Sequence, residues 1–486
     1  MKTSKRLYII GAGFAGRTLA NEITKKAVFG EVVAFLDDDP QKIGKKIDDI
    51  PVLGPIKDVT GFIRSSRKDE AIIAIPSAGR DTLKELYNIL NKAGFQKIRI
   101  LPGISQIIEG DAHLIQTRSI DLQDLLGRNP ITINLKESLS YVRGKRVLVT
   151  GAGGSIGSEL CRQLLSGGVS RLYLLGHGEN SIYQIDRELR LLQDEGVGEK
   201  AAIVPIIGEL KDANYIDYIF NQLKADAIFH TAAYKHVPMM EENPVAAIEN
   251  NVFGTENLIK TAIKYKVKHF VHISTDKAVN PCSVYGTSKY LCEQMVLEAS
   301  LQEQTANTNF VVVRFGNVLG SRGSIVPLFQ RQIEKGGPVT ITHPDTTRYF
   351  MTISEACSLV LKAGGVGENG GLYLLDMGEP VRIKDLAEQL IRFQGYEPET
   401  EIKIEYIGIR PGERLDESLL SADEMPSLTD YSRILRINRK TPSTLNLSKL
   451  LNELRPICCY DADKSKDYRN AELLRKILID NIGISL

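Results

Sequence analysis

The sequence has almost no excess charge of either sign. Its 486 residues include 61 lysines and arginines against 60 aspartates and glutamates, and no block of like charge is long enough to act as a tail. Proteins that bind nucleic acid or anionic membranes through electrostatics carry a cationic surplus. The composition therefore argues against both kinds of partner.

Long apolar runs and paired cysteines are also missing. The start, MKTSKRLYIIGAG, passes from a short basic lead into a strand and a glycine turn without a signal-peptide core, and no later run is long enough to span a bilayer. Six cysteines show neither CxxC pairs nor metal-ligand spacing with histidine: Cys161, Cys282, Cys292, Cys357, Cys458 and Cys459. We expect a soluble cytoplasmic protein with reduced thiols and no metal, at most peripheral to the inner membrane.

Two stretches of the chain alternate short apolar runs with helical patterns. The first contains RLYIIGAG, VVAFLDDD, AIIAIP and IRILPG, and the second restarts at KRVLVTGAGGSIG and continues through RLYLLGHG, AIFHTAA, HFVHIST and FVVVRFG. Such alternation predicts parallel sheets flanked by helices. The predicted fold is α/β, with two Rossmann-like doubly wound parallel sheets in tandem and a smaller substrate-binding lobe on the second.

The domain boundaries follow from where this alternation stops and restarts. A chain of 486 residues exceeds what one hydrophobic core usually fills. We predict an N-terminal Rossmann-like domain over 1–116, a linker over 117–142, a catalytic domain over 143–438 with its substrate lobe mainly from 327 onward, and a helical C-terminal tail over 439–486.

The segment TGAGGSIG is the strongest cofactor signal. It has G-x-x-G-x-x-G spacing between a predicted strand and a predicted helix, which allows a tight turn and the close approach of a dinucleotide's pyrophosphate. Five of its residues are expected to contact the cofactor: Gly151, Gly154, Ser155, Ile156 and Gly157. The usual ribose-binding acid is missing at the end of the second strand, and Glu179 comes slightly later. NAD and NADP both stay open.

The first stretch has a similar turn, IGAGFAG, followed by Asp37, Asp38 and Asp39 at the end of its second predicted strand. This is the pattern of an NAD-binding fingerprint, but no residue set near it could perform chemistry. Two interpretations stay open: a nucleotide or nucleotide-sugar binding domain, and a scaffold kept for docking or assembly.

A tyrosine and a lysine follow the fifth predicted strand of the second stretch. Tyr285 and Lys289, in SVYGTSKYLCEQ, stand four residues apart and on one face of the next helix. The ammonium is expected to lower the pKa of the phenol and to hold the cofactor ribose, so that the phenolate takes a proton from a substrate hydroxyl while nicotinamide takes the hydride. Asp276 and Lys277, at the carboxyl end of the strand, are more than this reaction needs.

These motifs resemble a known family. Bacterial nucleotide-sugar 4,6-dehydratases carry, in the same order, segments like GAGGSIGSELCRQ, HTAAYKHVPMMEENPVAAIENNVFGT, ISTDKAVNP, VRFGNVLGSRGSIVPLF, THPDTTRYFM and GIRPGERLDESL. The chain is similar above all to UDP-N-acetylglucosamine 4,6-dehydratases and CapD-like polysaccharide biosynthesis proteins, within the extended short-chain dehydrogenase/reductase superfamily. The N-terminal stretch resembles the domain before the catalytic one in long, membrane-anchored members, whose transmembrane helices are absent here.

The resemblance implies a reaction that uses the extra pair. Oxidation at carbon 4 of the sugar makes the hydrogen on carbon 5 acidic, and loss of the carbon 6 hydroxyl as water then requires a base and an acid. By resemblance, Lys277 is that base, Asp276 is the acid, Thr275 holds the sugar near the carbon 4 oxygen, and Tyr285 is the base of the oxidation. The hydride returns to carbon 6, so the NAD or NADP stays tightly bound and is recycled.

The resemblance also implies which residues bind the cofactor and the substrate. Besides the glycine turn, the cofactor set is Glu179, Ala232, Ala233, Tyr285 and Lys289. Guanidinium groups suit a diphosphate, and the UDP-sugar set is Lys235, Asn317, Arg322, Arg348, Arg410 and Glu413.

Structural roles are expected for several other polar residues. A histidine at a strand end is more often structural than a ligand, so His230 is given no catalytic role. Asn250 or Asn251 resembles an asparagine that braces the sheet in the family. Arg348 has a structural alternative, an ion pair with Asp345.

Members of this superfamily commonly pair through four helices. Apolar positions in NLIKTAIKYKV and YLCEQMVLEA exceed what one buried helix face requires. We therefore expect a homo-oligomer.

Three functions stay open. A nucleotide-sugar 4-epimerase shares the fold and the Tyr285–Lys289 pair but has no use for an adjacent acid and base, so Asp276 and Lys277 argue against it. A cofactor-sensing regulatory protein on a dehydrogenase fold typically loses the tyrosine or the lysine, and both are present. Long family members often carry methionine where Tyr285 stands, whereas a tyrosine there resembles the short members, some of which invert carbon 5. The sequence therefore leaves retention and inversion at carbon 5 both open.

Overall fold

The structure is a computed structural model that describes residues 6–26, 30–63, 69–75, 78, 80–95, 97–100, 118–119, 138–198, 200–303, 307–394, 396–441 and 445–484. It divides into two compact units, residues 1–132 with 388–403 and residues 133–387 with 404–486. The predicted linker, 117–142, lies for the most part outside the described residues. Nothing in the sequence indicated that 388–403 would group with the first unit.

The first unit contains the strands β1 (Arg6–Ile10), β2 (Glu31–Leu36), β3 (Lys46–Ile47), β4 (Ile50–Pro51), β5 (Asp69–Ile73), β6 (Lys97–Ile100) and β7 (Arg118–Ser119). Five of them form a sheet of order β2-β1-β5-β6-β7, in which only β7 runs antiparallel to its neighbour. Its described α-helices are Phe14–Lys26, Val59–Phe62 and Arg80–Lys92. Successive residues of β1 are buried in two different clusters, as a parallel sheet covered on both faces requires.

The three aspartates after β2 are used by the fold of the first unit. Their carboxylates accept hydrogen bonds from backbone amides: Asp37 from Ala12 (2.7 Å), Asp38 from Ile56 (2.8 Å) and Asp39 from Gln41 (2.9 Å). The acidic tip that resembles an NAD fingerprint therefore has a structural role.

The second unit contains the strands β8 (Arg146–Thr150), β9 (Arg171–Gly176), β10 (Ala202–Ile207), β11 (Ala227–His230), β12 (His269–Ile273), β13 (Asn309–Arg314), β14 (Asn317–Val318), β15 (Val339–Ile341), β16 (Thr347–Arg348), β17 (Phe350–Met351), β18 (Gly371–Leu375), β19 (Val381–Arg382), β20 (Ile404–Tyr406), β21 (Glu424–Leu428) and β22 (Ile434–Arg439). Nine form one sheet of order β10-β9-β8-β11-β12-β13-β18-β22-β21. The strands from β10 to β18 are parallel, and β22 and β21 are antiparallel to their neighbours. The strand order reverses between β8 and β11, and doubly wound sheets bind dinucleotides at the carboxyl ends around such a switch point. The predicted fold class is confirmed.

Helices cover both faces of this sheet. Their bounds are Ser155–Ser166, Glu179–Asp194, Ala213–Leu223, Val237–Glu242, Pro244–Ala247, Gly254–Lys264, Val284–Ser300, Ile353–Val366, Leu447–Cys458 and Ala471–Ile482. The helix Ile325–Glu334 packs against β15, and residues 388–393 of the helix Ile383–Phe393 belong to the first unit. The short strand pairs β14–β17, β15–β20 and β16–β19 lie outside the main sheet. None of the helices described is long and apolar enough to cross a bilayer.

The C-terminal tail belongs to the core of the second unit. Its two α-helices share one apolar cluster with helices Gly254–Lys264 and Val284–Ser300. Four of its leucines are fully buried there: Leu450, Leu454, Leu474 and Leu478. The apolar residues that suggested a homo-oligomer are thus covered within a single chain. The homo-oligomer stays a prediction, but these residues no longer support it.

Ion pairs also tie the tail to the rest of the unit. They join Arg455 to Glu256 (2.8 Å), Arg469 to Glu249 (2.8 Å) and Arg475 to Glu241 (2.7 Å). Glu241 in addition accepts a hydrogen bond from the amide of Val284 at 2.6 Å. The tail is therefore linked to the start of the helix that carries Tyr285 and Lys289.

We expect Leu454→Ala to lower the free energy of unfolding by about 2–5 kcal/mol, because it leaves a cavity in the shared cluster. Urea unfolding followed by circular dichroism measures the change. Lys449→Ala is the matched control on the same helix, where the lysine side chain is 64% exposed, and it should change the stability by less than about 0.5 kcal/mol. Equal effects of the two substitutions would contradict the burial of the tail.

Candidate active site

The glycine turn after β8 is shaped for a close backbone approach. Gly151 has φ of +67°, and a Cβ placed on it would lie 2.8 Å from the backbone nitrogen of Ala232. A Cβ on Gly157 would lie 2.2 Å from the oxygen of Gly151. Helix Ser155–Ser166 begins after Gly154 with no side-chain cap, so its first amides are left for an anion. These features fit the pyrophosphate of a dinucleotide.

The segment after β11 packs against the glycine turn. The hydroxyl of Thr231 donates to the Thr150 oxygen at 2.6 Å, and the next residue, Ala232, is the one that faces Gly151. Ala233 follows at the same carboxyl edge of the sheet. The structure therefore brings the two alanines of the expected cofactor set to the glycine turn.

Glu179 and Arg322 lie on the same side of the unit as the glycine turn. Glu179 is the exposed first residue of the helix after β9. Arg322 belonged to the expected UDP-sugar set, but its guanidinium donates to the oxygen of Gly153 and to Gln184 Oε1, both at 3.1 Å. Lys235 joins this group, because its Nζ donates to the Arg322 backbone oxygen at 3.0 Å.

Asp276 is the most deeply buried of the expected catalytic residues. Its side chain is 0% exposed. Oδ1 accepts hydrogen bonds from the hydroxyl of Thr275 at 2.8 Å and from Lys277 Nζ at 3.0 Å. Oδ2 is buried and has no hydrogen-bond partner within the described part of the chain. A buried carboxylate oxygen without a partner is costly, and it fits a position that a substrate hydroxyl would complete.

Lys277 is surrounded by acceptors. Its Nζ donates to Asn317 Oδ1 at 3.2 Å and lies 3.4 Å from Glu417 Oε1, in addition to the contact with Asp276. Burial favours the neutral amine, but the charges of Asp276 and Glu417 outweigh burial and the opposing charge of Arg348, so the pKa of Lys277 is raised. Lys277 is therefore an ammonium ion in this structure.

Tyr285 and Lys289 lie on the helix that starts after Ser283, whose hydroxyl accepts from the Gly286 amide at 3.0 Å. Burial raises the pKa of the Tyr285 phenol to about 12, although the charge of Lys277 and a hydrogen bond with Thr275 act to lower it. The expected lowering of this pKa by Lys289 is wrong for this structure.

The reason is the direction of the Lys289 ammonium. It donates to the Ile273 oxygen at 2.7 Å and lies 3.0 Å from His272 Nε2, and burial lowers its pKa. Sequence reasoning missed His272, although a second histidine inside the apolar strand HFVHI was the available signal.

The remaining expected substrate residues fall into two places. Asn317 meets Lys277, and Arg348 lies 4.0 Å from Glu417 while donating to the backbone oxygens of Leu415 and Arg414. Arg410 and Glu413 pair with each other on the surface. The alternative pairing of Arg348 with Asp345 does not occur, because Asp345 lies 3.3 Å from the guanidinium of Arg382 instead.

Asn251 is the asparagine that braces the site. Its Oδ1 accepts from the Tyr234 amide at 2.8 Å, and its Nδ2 donates to the Tyr234 oxygen at 3.0 Å and to Ser288 Oγ at 2.9 Å. It lies in a π-helical turn, Ile248–Phe253, a distortion often found at functional sites. The segment after β11 and the helix that carries Tyr285 are thus held together.

His230 has a structural role. Its ring nitrogens lie 2.8 Å from the hydroxyls of Thr150 and Thr255. Burial, assisted by the charge of Lys289, lowers its pKa to about 3. The ring is therefore neutral at physiological pH. Among the described residues no group of three or more histidine, cysteine, aspartate or glutamate side chains could hold a metal ion.

Comparison with known proteins gives the family. Residues 147–439 match the family described as "Polysaccharide biosynthesis protein". The chain belongs to this family. Residues 2–102 match a "CoA-binding domain". The capsular polysaccharide biosynthesis protein CapD of Staphylococcus aureus is 43% identical over 434 residues, which are 89% of this chain and 71% of CapD. The resemblance seen in the motifs is confirmed.

Two further comparisons concern the fold and the range of relatives. A UDP-glucose 4-epimerase of Rickettsia canadensis is 34% identical over 301 residues, which are 60% of this chain and 82% of that protein. The X-ray structure of Pen from Bacillus thuringiensis aligns with a TM-score of 0.55 and 31% identity, over 62% of this chain and 89% of Pen. The structural likeness supports the α/β fold class.

The buried state of His230 predicts acid sensitivity. Its pKa is about 3 in the folded chain against an ordinary value of 6.5, so the unfolded chain binds the proton first as the pH falls. The stabilising contribution is complete above pH 6.5 and is lost toward pH 3, at up to about 1.4 kcal/mol per pH unit.

His230→Gln should therefore reduce the slope of the free energy of unfolding between pH 6.5 and about 4.5. The slope is not abolished, because buried His272 also has its pKa lowered. Urea unfolding at a series of pH values measures it. An unchanged slope in His230→Gln would refute the assignment.

Proposed function

We propose that the protein is a nucleotide-sugar 4,6-dehydratase that converts UDP-N-acetylglucosamine to a UDP-4-keto-6-deoxy sugar for surface glycan biosynthesis. The observation that carries the proposal is the buried Asp276–Lys277 pair beside Tyr285 at the carboxyl end of the sheet. A hydride transfer alone has no use for this pair, whereas elimination of water needs an acid and a base. Membership of a polysaccharide biosynthesis family agrees with the product class.

The residues present fit a nicotinamide dinucleotide. Those that would hold it are Gly151, Gly154, Ser155, Ile156, Gly157, Glu179, Ala232, Ala233, Tyr285 and Lys289. When bound, NAD or NADP supplies the hydride acceptor at carbon 4 of the sugar and the hydride donor at carbon 6. Arg322 and Lys235 lie near the turn, so we assign them to the cofactor side of the site.

The oxidation half requires a base at the carbon 4 hydroxyl. Tyr285 takes this proton, and Thr275 orients the oxygen. In the ligand-free state the phenol keeps its own proton, because burial raises its pKa to about 12, and Tyr285 acts as the base only after it has lost that proton. Lys277 and Thr275 are the groups that favour the phenolate, so they serve the oxidation as well as the elimination.

The elimination half requires a neutral Lys277 and a protonated Asp276. The ligand-free structure has the ammonium form of Lys277 beside Asp276, at 3.0 Å. Transfer of one proton across this contact gives both residues the form that they need. Lys277 then removes the carbon 5 proton, and Asp276 protonates the departing carbon 6 hydroxyl with the proton that it received on Oδ1, while Oδ2, which has no partner among the described residues, accepts a hydrogen bond from the sugar.

The residues expected to bind the UDP group lie in two places. Asn317 and Arg348 lie with Lys277 and Glu417, whereas Arg410 and Glu413 form an exposed pair. We propose that Arg410 binds the diphosphate, because its guanidinium is exposed and held by one carboxylate only among the described contacts.

A 4-epimerase is the second candidate, since the Rickettsia relative carries that name. It would use Tyr285 and Lys289 but would leave Asp276 and Lys277 without a task. A regulatory protein would need neither the Tyr285–Lys289 pair nor the Asp276–Lys277 pair. Incubation of the pure protein with UDP-N-acetylglucosamine in heavy water separates the candidates by NMR of the product. A 4-keto-6-deoxy sugar with deuterium at carbon 5 supports the dehydratase, a 4-epimer without loss of water selects the epimerase, and unchanged sugar with cofactor bound favours the regulator.

The two halves of the reaction should separate by mutation. Lys277→Ala and Asp276→Asn should slow turnover by about 100- to 10,000-fold and let reduced cofactor accumulate, because elimination is blocked. In Lys277→Ala the reduced cofactor should appear more slowly, because the charge that favours the Tyr285 phenolate is lost. Tyr285→Phe should slow turnover similarly without reduced cofactor. Single-turnover absorbance of the reduced nicotinamide measures the difference.

Lys268→Ala, at an exposed lysine just before β12, is the control and should behave as the unsubstituted enzyme. If Lys277→Ala still dehydrates at an undiminished rate, or yields no reduced cofactor with substrate demonstrably bound, the assigned roles are wrong.

A further inference from the structure

Lys277 faces more negative charge than a base requires. Its Nζ lies 3.0 Å from Asp276 Oδ1 and 3.4 Å from Glu417 Oε1. An amine must be neutral before it can take a proton, whereas two neighbouring carboxylates favour the ammonium ion. Asp276 has its own task as the acid. Glu417 has no part in either half-reaction, so its place against Lys277 calls for another reason.

The backbone holds Glu417 in this place. Its side chain is only 6% exposed. Arg348 donates to the oxygens of Leu415 and Arg414 at 2.8 and 2.9 Å. Arg414 in turn donates to the Val279 oxygen at 3.3 Å, in the turn after the catalytic lysine. A buried and fixed carboxylate acts on its neighbour far more strongly than a mobile surface one.

Among the described residues, four charged or titratable groups act on Lys277 from the elements packed around it. They are Asp276 in its own turn, Tyr285 on the helix Val284–Ser300, Arg348 on β16 and Glu417 on the segment before β21. Burial and Arg348 act against the ammonium, and Asp276 and Glu417 act for it. Without Glu417, only the carboxylate of Asp276 would favour the ammonium form of Lys277 against the effects of burial and Arg348.

We propose that Glu417 is a positioning residue that holds Lys277 as an ammonium ion in the ligand-free protein and thereby sets the pH above which Lys277 can remove the carbon 5 proton without first passing its own proton to Asp276. The catalytic part rests on the proposed function. The part about the ligand-free protein does not.

The test measures the protonation of Lys277 directly. Trace acetic anhydride acetylates only neutral amines, and the Lys277 side chain is 20% exposed, so acetylation of Lys277 across a pH series, read by mass spectrometry of the full chain, gives its titration midpoint. In Glu417→Gln we expect this midpoint to fall by about 1–3 pH units, the usual effect of losing a charge partner at this range.

Two variants control the result. Asp416→Asn removes a charge from the adjacent residue, whose Oδ1 accepts from the Thr347 hydroxyl at 2.5 Å, and should leave the midpoint unchanged. Glu417→Asp keeps the charge and should retain most of the elevation. An equal midpoint in Glu417→Gln and the unsubstituted protein overturns the inference. If Glu417→Gln does not fold, an unsubstituted midpoint at or below the ordinary lysine value overturns it by itself.

The catalytic part has its own readout. The rate of deuterium entry at carbon 5 should rise with pH as Lys277 becomes neutral, and in Glu417→Gln the rise should move to lower pH by the same interval. A purely structural role would lower the rate without moving this profile. If the unsubstituted protein does not convert UDP-N-acetylglucosamine, the proposed function fails, while the acetylation midpoints still decide the role of Glu417.

Discussion

The buried contact between Asp276 and Lys277 determines how the rest of the site is built. Taking two charges out of water costs several kcal/mol per ion unless other groups replace the lost solvent. Asp276 Oδ1 is compensated by Thr275 and Lys277, and Lys277 by Asn317 and Glu417. Asp276 Oδ2 is the oxygen left uncompensated among the described residues. The pair is thus stable enough to exist without ligand, yet incomplete in the direction in which a sugar hydroxyl would bind.

A second buried charge network fixes the backbone on which this pair stands. Arg314, 1% exposed, donates to Glu293 and to Glu424 at 2.7 Å each. Glu293, on the helix that carries Tyr285, also accepts from the hydroxyl of Ser274 at 2.6 Å. Since Ser274 immediately precedes Thr275, β12, β13, β21 and the catalytic helix are joined next to the reacting groups. Replacing only one member of such a network leaves an uncompensated buried charge, so these residues would affect the site through its geometry.

Residues close together in sequence were predictable, and contacts made by tertiary packing were not. Tyr285 and Lys289 share a helix face, and Asp276 and Lys277 are adjacent, so local spacing was enough to find them. Glu417 meets Lys277 only because a segment far along the chain folds back against β12, and no local pattern marks it. Arg322 was assigned to the substrate by motif order, but the loop that carries it turns toward the glycine turn. The burial of Tyr285, which reverses the expected pKa shift, likewise depends on all its neighbours together.

The two glycine turns of the chain explain why a motif alone does not identify chemistry. In both turns the third glycine is required by packing, because a Cβ would lie 1.9 Å from the Gly11 oxygen in the first and 2.2 Å from the Gly151 oxygen in the second. A third glycine close after the first therefore arises in both turns from the need to bring a helix close to a strand, although the exact spacing differs. The two units differ in what the acidic residues at the nearby strand ends contact. In the first unit Asp37 binds the turn's own amide, whereas in the second the strand end after β12 holds a buried acid with one oxygen unpaired among the described groups. Chemistry follows from polar groups that the fold leaves unsatisfied, and the second unit is where the described residues leave such a group beside a tyrosine and two lysines.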